Sequence, residues 1–326
     1  MTKFFSSLLA IGLSSVALAQ SYSDVPGAPG SSAISKDSSC FVAWATSATI
    51  TRGYLDINDT LFTDNGTNKA TFGVPENALG MAEGDGMSVV SLGDGGMITL
   101  TFSEAITDGP GFDFAVFENS FLNHYMEFAF VEVSSNGVDF VRFPADSEIQ
   151  TTSQLGNASL ADCRMVNNLA GKYRAGFGTP FDLSDVAQLH DSVDVQAISH
   201  IRLIDVIGAI NGSHVSLDAD GQAINDPYPT PFPSGGFDLD AVGVIHQYVG
   251  LTESKKGNWT LYPNPTKGSL HVTGEFSNQR VVVRDLLGQI VHEETLVNNT
   301  LDLQALSDGC YLIELGARVQ NIVLQR

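Results

Sequence analysis

The sequence predicts an all-β protein in two unequal parts, a jelly-roll-like β-sandwich followed by a small Ig-like β-sandwich. Three observations carry this. Short segments alternate apolar and polar residues with period two, as in "GMITLTF", where Ile98, Leu100 and Phe102 alternate with Thr99 and Thr101. Glycine is abundant, 32 of 326 residues, and with 12 prolines it punctuates the chain at short intervals. Helical periodicity is nearly absent, "SDVAQLHD" being the best short candidate. Many short strands with Gly/Pro turns build sandwiches or jelly rolls. The expected organisation is a signal peptide over 1–19, an acidic sandwich domain over 20–250, a linker over 251–256 and the small domain over 257–326.

In "MTKFFSSLLAIGLSSVALAQ" the only charge is Lys3; an apolar run follows, then the small-x-small triplet Ala17-Leu18-Ala19. That is the form of a secretory signal cut before Gln20, too short and weakly flanked for an anchor. No other run of about twenty apolar residues exists, so no transmembrane segment is expected in the mature chain. Phe41, Val42 and Trp44 need a core to enter, so residues 20–75 are read as continuous with the rest of the large domain. In "FAFVEVSSNGVDFVRF" the turn Ser135-Asn136-Gly137 joins two alternating runs into a hairpin. "ISHIRLIDVIG" and "GFDLDAVGVI" read as further strands. Cys40 and Cys163 share the large domain, and pairing them would stabilise it by roughly 4–5 kcal/mol in the chain-entropy model. The sequence leaves open whether their geometry allows it. Cys310, alternating with Leu312, is expected to be buried. No Cys/His spacing suggests zinc.

The last part is more specific. "NWTLYPNPTKGSLHVTG", "RVVVRDLLGQIV" and "LDLQALSDGCYLIELG" are alternating strands separated by turns at Asn264-Pro265, Lys267-Gly268, Leu287-Gly288 and Asp308-Gly309. Such a stretch makes a small antiparallel sandwich. Tyr262-Pro263-Asn264-Pro265, Gly268, Asp285, Gly288, Leu306, Gly309 and Tyr311-Leu312 resemble the type A C-terminal sorting domain of the type IX secretion system of Bacteroidetes. The resemblance covers residues 257–326. Two positions depart from it: Cys310 stands where an aliphatic residue is usual, and a single Arg326 replaces a lysine-rich end. It implies recognition by the type IX secretion machinery, passage across the outer membrane, and removal of this domain. The remainder would be secreted or attached to the outer cell surface.

The chain carries a net charge of −21. Nearly all of it belongs to residues 20–250, with 8 basic against 29 acidic side chains. Such a domain repels nucleic acid and anionic lipid surfaces, so neither is expected as a partner. Asp113, Glu118, Asp205, Asp238 and Asp240 sit in or beside apolar strands, where an ionised carboxylate costs several kcal/mol unless paired or metal-bound. The basic residues are too few to pair them all, which points to a cation. In "DADGQAINDP" the alternate Asp218 and Asp220 precede Gly221, with Asp226 following, a pattern that can aim carboxylates at one calcium ion. It is not an EF-hand, because Pro229 stands where the closing glutamate belongs. The expectation is a structural Ca2+ held by Asp218, Asp220, Asp226 and Asp240; the alternative is a solvated Asx turn.

The loop "PYPTPFPSGGF" beyond it carries Tyr228, Phe232 and Phe237 among four prolines. Stiff aromatics on a sandwich edge suit sugar or hydrophobic ligands, and Tyr173 and Phe177 are candidates to join Tyr228 and Phe232 there. Rings that merely cap the sandwich are the alternative. "DFAVFENSF", "NLAGKY", "GTPFDL", "IRLIDVIG" and "INDPYPTPFPSGGFDLDAVGVI" together resemble a family of bacterial cell-surface proteins of uncharacterised function, over residues 75–250. The strand order is similar to the discoidin or galactose-binding-like jelly roll. Relatives in that cell-surface family are sometimes linked to vitamin B12 uptake systems, so the resemblance implies an accessory role there as a lesser alternative. Catalysis has little support: there is no G-x-S-x-G and no H-E-x-x-H. Asp113 and Glu118 could form a glycosidase pair, except that five residues on one strand put them on opposite faces. The reading is therefore an exported module binding carbohydrate or another extracellular ligand. A structural or adhesive surface role is the alternative.

Overall fold

Period-two runs rich in β-branched and aromatic residues form the long strands of the large unit. These are β1 (Ser47–Thr51), β2 (Met97–Ile106), β3 (Phe114–Glu118), β4 (Ala129–Ser134), β5 (Phe177–Phe181), β6 (Ile198–Asp205) and β7 (Asp238–Val244). The computed structural model describes residues 22–248, 260–274, 276, 279–316 and 318–326. The expected signal peptide and linker lie outside the described residues. The chain divides into two compact units, one ending at Tyr248 and the other beginning at Val249.

Two large antiparallel sheets build the large unit, beside a two-stranded one that pairs Val166–Asn167 with Asp146–Ser147. One runs β4–β6–β2–β1, with Leu169–Ala170 and Val141–Arg142 also paired to β4. The other runs β5–β3–β7, extended by Ile34–Ser35 beside β5 and by Ala43–Trp44 and Val90–Ser91 beside β7. Their facing sides share one core. Ile98, Leu100, Val131, Val133, Ile201 and Leu203 come from the first sheet, and Phe114, Val116, Leu239, Val242 and Val244 from the second. Phe114 stacks on Phe181 at 5.3 Å and meets Phe143 edge-on at 5.8 Å.

The second sheet is covered on its other face as well, where Ala115, Phe117 and Ala241 pack under Phe41 and Trp44. Every residue of β3 and β7 is consequently buried. A register shift between Leu239 and Ala241 keeps Leu239, Val242 and Val244 in the main core while Ala241 turns to the second. Val42, placed between Phe41 and the short strand at Ala43, points to solvent. The helical candidate "SDVAQLHD" yields only a 3-10 turn at Leu183–Asp185, started by Asp182 accepting from Ser184 N. The hairpin after β4 forms as the sequence predicts, Val133 pairing with Val141.

In the small unit, β8 (Ser269–Val272), β9 (Arg280–Arg284), β10 (Ile290–Thr295), β11 (Thr300–Asp302), β12 (Gly309–Leu315) and β13 (Arg318–Leu324) form two sheets. One contains Leu261–Tyr262, β8 and β11; the other runs β10–β9–β12–β13. Leu270, Val281, Val283, Leu301, Ile313 and Ile322 fill the core between them. Both units are thus all-β, as the alternation predicts. Cys310 departs from expectation and is exposed. The reason is parity: Ile313 and Leu315 of β12 face the core, so even-numbered positions face outward. All three cysteines are free thiols, Cys163 buried and Cys40 partly so.

Phe114→Ala removes the ring on which both aromatic neighbours close. It should cost about 3–5 kcal/mol, read as a lower urea midpoint for the transition of the large unit.

Candidate functional site: an acidic cleft at the end of the second sheet

β3 ends at Glu118, and β7 begins at Asp238; in this antiparallel pair Leu239 lies opposite Glu118. The chain leaving β3 and the chain entering β7 bound a cleft of about 340 Å³. Phe72, Met87, Phe121, Tyr125 and Phe232 line it with apolar surface, and Asn119, Glu127 and Asp238 supply polar groups. Phe121 and Tyr125 stack with centroids 5.6 Å apart and planes 16° from parallel. Phe121 is 74% exposed and Phe232 45%, so both rings present faces to solvent. Gly236, at φ +73°, lets the chain turn into β7; a Cβ there would stand 2.6 Å from Asp205 Oδ1.

Beneath the cleft, acids outnumber their partners. Asp205 is satisfied, accepting from Phe237 N at 2.7 Å and Gly95 N at 3.0 Å. Glu118 Oε2 accepts from Ser120 N at 2.8 Å, Asp226 Oδ2 from Phe128 N at 3.0 Å, and Asp238 Oδ2 from Asn119 Nδ2 at 2.9 Å. The other oxygens, Glu118 Oε1, Asp226 Oδ1 and Asp238 Oδ1, are buried without a partner. Ser91 Oγ lies beside Asp238 but does not complete a hydrogen bond. Glu127, 9% exposed, makes no side-chain hydrogen bond or ion pair among the described residues. Burial pushes Glu118, Glu127 and Asp226 well above the usual carboxylate range, and neighbouring acids raise Glu118 and Glu127 further. Burial raises Asp238 to about 6, against a lowering by Arg52. That guanidinium is committed to the carbonyls of Phe72, Ser91 and Gly73 and forms no ion pair among the described residues.

The residues nominated from sequence fare unevenly. Asp218 Oδ1 accepts from Asp220 N at 3.0 Å and Gln222 N at 2.8 Å, closing an Asx turn. Asp240 accepts from Glu83 N and Gly84 N. Among the described residues, no three of Asp218, Asp220, Asp226 and Asp240 bring carboxylate oxygens within 4.8 Å of one another. Only Asp226 joins the acids under the cleft.

Among the rings, Tyr173 is 2% exposed, its hydroxyl bonded to Ser23 and Ser32. Tyr228 is buried with its hydroxyl accepting from Asn58 Nδ2 at 2.6 Å. Phe177 lies half-buried under the Arg174 guanidinium, 4.5 Å from its centroid. Phe232 alone of the four lines the cleft. Sequence reasoning missed Phe121, Tyr125 and Glu127; the signal for Glu127 was a lone acid between Met126 and Phe128. Asp113 and Glu118 sit at opposite ends of β3, roughly 16 Å apart along extended chain, too far to flank one glycosidic bond. Asp113 binds Gly109 N, Leu183 N and His246 Nδ1, an architectural role.

Residues 260–325 match the model of the secretion system C-terminal sorting domain. The chain carries a type IX sorting tail. That tail marks proteins exported by type IX secretion to the outer cell surface or beyond, and implies contact with the machinery. No curated protein matches the chain. Among solved structures it is similar to PorZ, described as an essential bacterial surface component of the type IX secretion system of Porphyromonas gingivalis. Identity is 10%, over 81% of this chain and 47% of that one, with a TM-score of 0.19. The chain spans about half the length of PorZ, and at this level the likeness carries no argument. Among the described residues, no helix is long and apolar enough to cross a membrane.

Two outcomes are expected from the acids. Asp94, beside Asp205 and accepting from Ile57 N, is raised by burial to about 7. A carboxyl whose folded pKa lies above its unfolded value of about 4 binds more protons folded than unfolded across that interval. Its contribution is full below the unfolded value and lost as pH rises through the folded one. In divalent-free buffer the melting temperature should therefore fall between pH 5 and pH 8, and Asp94→Asn should flatten that slope. Asp218→Ala removes the turn's acceptor and should cost about 1–3 kcal/mol, equally with and without calcium in denaturant titrations.

Proposed function

We propose that the large unit is an extracellular ligand-binding module whose cleft takes a hydroxyl-rich ligand, carbohydrate being the class its chemistry suits. The observation carrying this is the pairing, in one cleft, of exposed ring faces with carboxylates whose lone pairs are unused. Ring faces pack against the apolar C–H faces of sugars, and the acid oxygens can exchange hydrogen bonds with hydroxyls in either protonation state. The volume falls at the small end of ligand pockets, which run about 300–1,000 Å³. A structural or adhesive role is the second reading. It is favoured by Tyr173 and Tyr228, whose rings turn inward and tie remote segments together.

The full chain is tested against a glycan array, with hits titrated calorimetrically. Phe121→Ala and Phe232→Ala should each weaken a hit by more than about tenfold, or 1.4 kcal/mol. Phe121 is exposed enough that stability should move by no more than about 0.5 kcal/mol. Tyr228→Phe should bind as the parent does. Binding indifferent to both ring deletions would remove the cleft from recognition and leave the adhesive reading.

A further inference from the structure

We propose that His124, Asp162 and Cys163 form a zinc site, and that the ion staples together the two segments that make one wall of the cleft. The site stands without the ligand-binding reading above. What the staple does for recognition rests on that reading.

Three different donors converge here. A ring nitrogen of His124, a carboxylate oxygen of Asp162 and the Cys163 sulfur all lie within 4.8 Å of one another. Tetrahedral zinc, with bonds of about 2.0–2.3 Å, holds its ligand atoms about 3.3–3.8 Å apart. Small side-chain movements therefore complete the contacts. The chain gives no motif for this set, because His124 and Cys163 are 39 residues apart and only the fold joins them.

The donors select the metal. A thiolate and an imidazole disfavour calcium and magnesium, whereas one sulfur, one nitrogen and one oxygen suit zinc. Three protein ligands leave the fourth position to water. The other convergent set, Asp108, Asp113 and Asp182, is all carboxylate, and its buried Asp113 is filled by Gly109 N, Leu183 N and His246.

Each donor keeps a lone pair to give. Cys163 Sγ makes only a 3.9 Å contact among the described residues, to Ser23 O, in which it is the donor. His124 Nδ1 faces Cys163 N at 3.4 Å, the long limit of a hydrogen bond. Asp162 is the most engaged, but by one residue: Arg164 reaches it through N, Nε and Nη2. Three donor nitrogens leave one of a carboxylate's roughly four lone-pair sites open. Arg164 then serves as the outer partner that fixes a ligand's orientation. His124 and Asp162 are partly exposed and Cys163 is buried, so an ion reaches the sulfur past the other two. As the zinc–sulfur bond forms, the thiol proton leaves to solvent. Asp24 and Asp162 act on the thiol against Lys172 and Arg164, so no net positive field opposes the ion.

The placement gives the site a use. His124 belongs to the segment between β3 and β4 that carries Phe121 and Tyr125, and Asp162 and Cys163 follow Asn157 on the other segment; Phe121, Tyr125 and Asn157 all line the cleft. Ala161 N already donates to His124 O at 2.8 Å, and the Tyr125 hydroxyl to Asn157 O at 3.0 Å. Zinc would add side-chain bonds between the same two segments.

The test uses the full chain, untagged, reduced and stripped with EDTA. Zinc titrated against a chromophoric chelator should bind, and cobalt in its place should give a sulfur-to-metal charge-transfer band. Cys163→Ser should abolish that band, while Cys40→Ser and Cys310→Ser keep it. His124→Ala and Asp162→Asn, at partly exposed positions that spare the core, should each weaken zinc tenfold or more. Zinc should also slow hydrogen exchange over 119–128 and 157–163 in the parent and not in His124→Ala.

A parent chain that takes no zinc at micromolar concentration would overturn the proposal. So would zinc bound equally by the His124→Ala and Cys163→Ser chains, or a cobalt band lost only in Cys310→Ser. Zinc bound as expected with exchange unchanged would overturn the staple and uphold the site. A glycan bound equally well with zinc and with EDTA would overturn the ion's part in recognition, and zinc bound with every glycan ignored would uphold the site and sink the ligand reading.

Discussion

The sheet β5–β3–β7 is covered on both faces, and the chemistry at its end derives from that constraint. A strand buried at all seven positions, as β7 is, offers its acids no water. Asp238 and Asp240 must find donors inside the protein or remain uncompensated. The same holds for Asp205 on β6 and Asp113 before β3, which are equally buried. The fold answers with backbone amides. Asp240 takes two, Asp205 two, and Asp113 two with a histidine. Each of these acids ties a loop to a strand end, and several hydrogen bonds to one carboxylate offset its desolvation.

The acids under the cleft break this pattern. Glu118, Asp226 and Asp238 each have one oxygen held and one buried without a partner, and Glu127 makes no side-chain hydrogen bond among the described residues. The held oxygen fixes the side chain's direction, and the free one carries the unmet demand. Buried polar groups in folded proteins are nearly always satisfied. Three unpartnered oxygens in one neighbourhood, one of them on Asp238, which lines a cleft with exposed rings, are therefore more than scatter. Architecture accounts for the satisfied acids, and function is the better account of the others.

Much of this was legible in the sequence, and the failures share a cause. Period-two alternation revealed the strands, and apolar flanks marked Asp113, Glu118, Asp205, Asp238 and Asp240 as buried, which all five are. What sequence cannot display is the backbone donor that reaches an acid from a distant segment: Leu183 N to Asp113, or Glu83 N to Asp240. The shortage of basic residues was read as a demand for metal, when amides answer much of it. The same blindness misplaced the rings. Tyr173 and Tyr228 are buried because Ser23, Ser32 and Asn58, more than 100 residues away, meet their hydroxyls. Asp218 shows the local version, since DxDG spacing fits an Asx turn as well as a calcium loop, and only the direction of the amides decides. Cys310 failed by one residue of register, enough to exchange inside for outside.

The acidity of the large unit and the sorting tail agree in a way that neither requires alone, because the type IX tail sends the chain to the outer surface or beyond. A surface of this charge keeps away from anionic lipid and nucleic acid while leaving hydroxyl-rich, uncharged ligands free to approach.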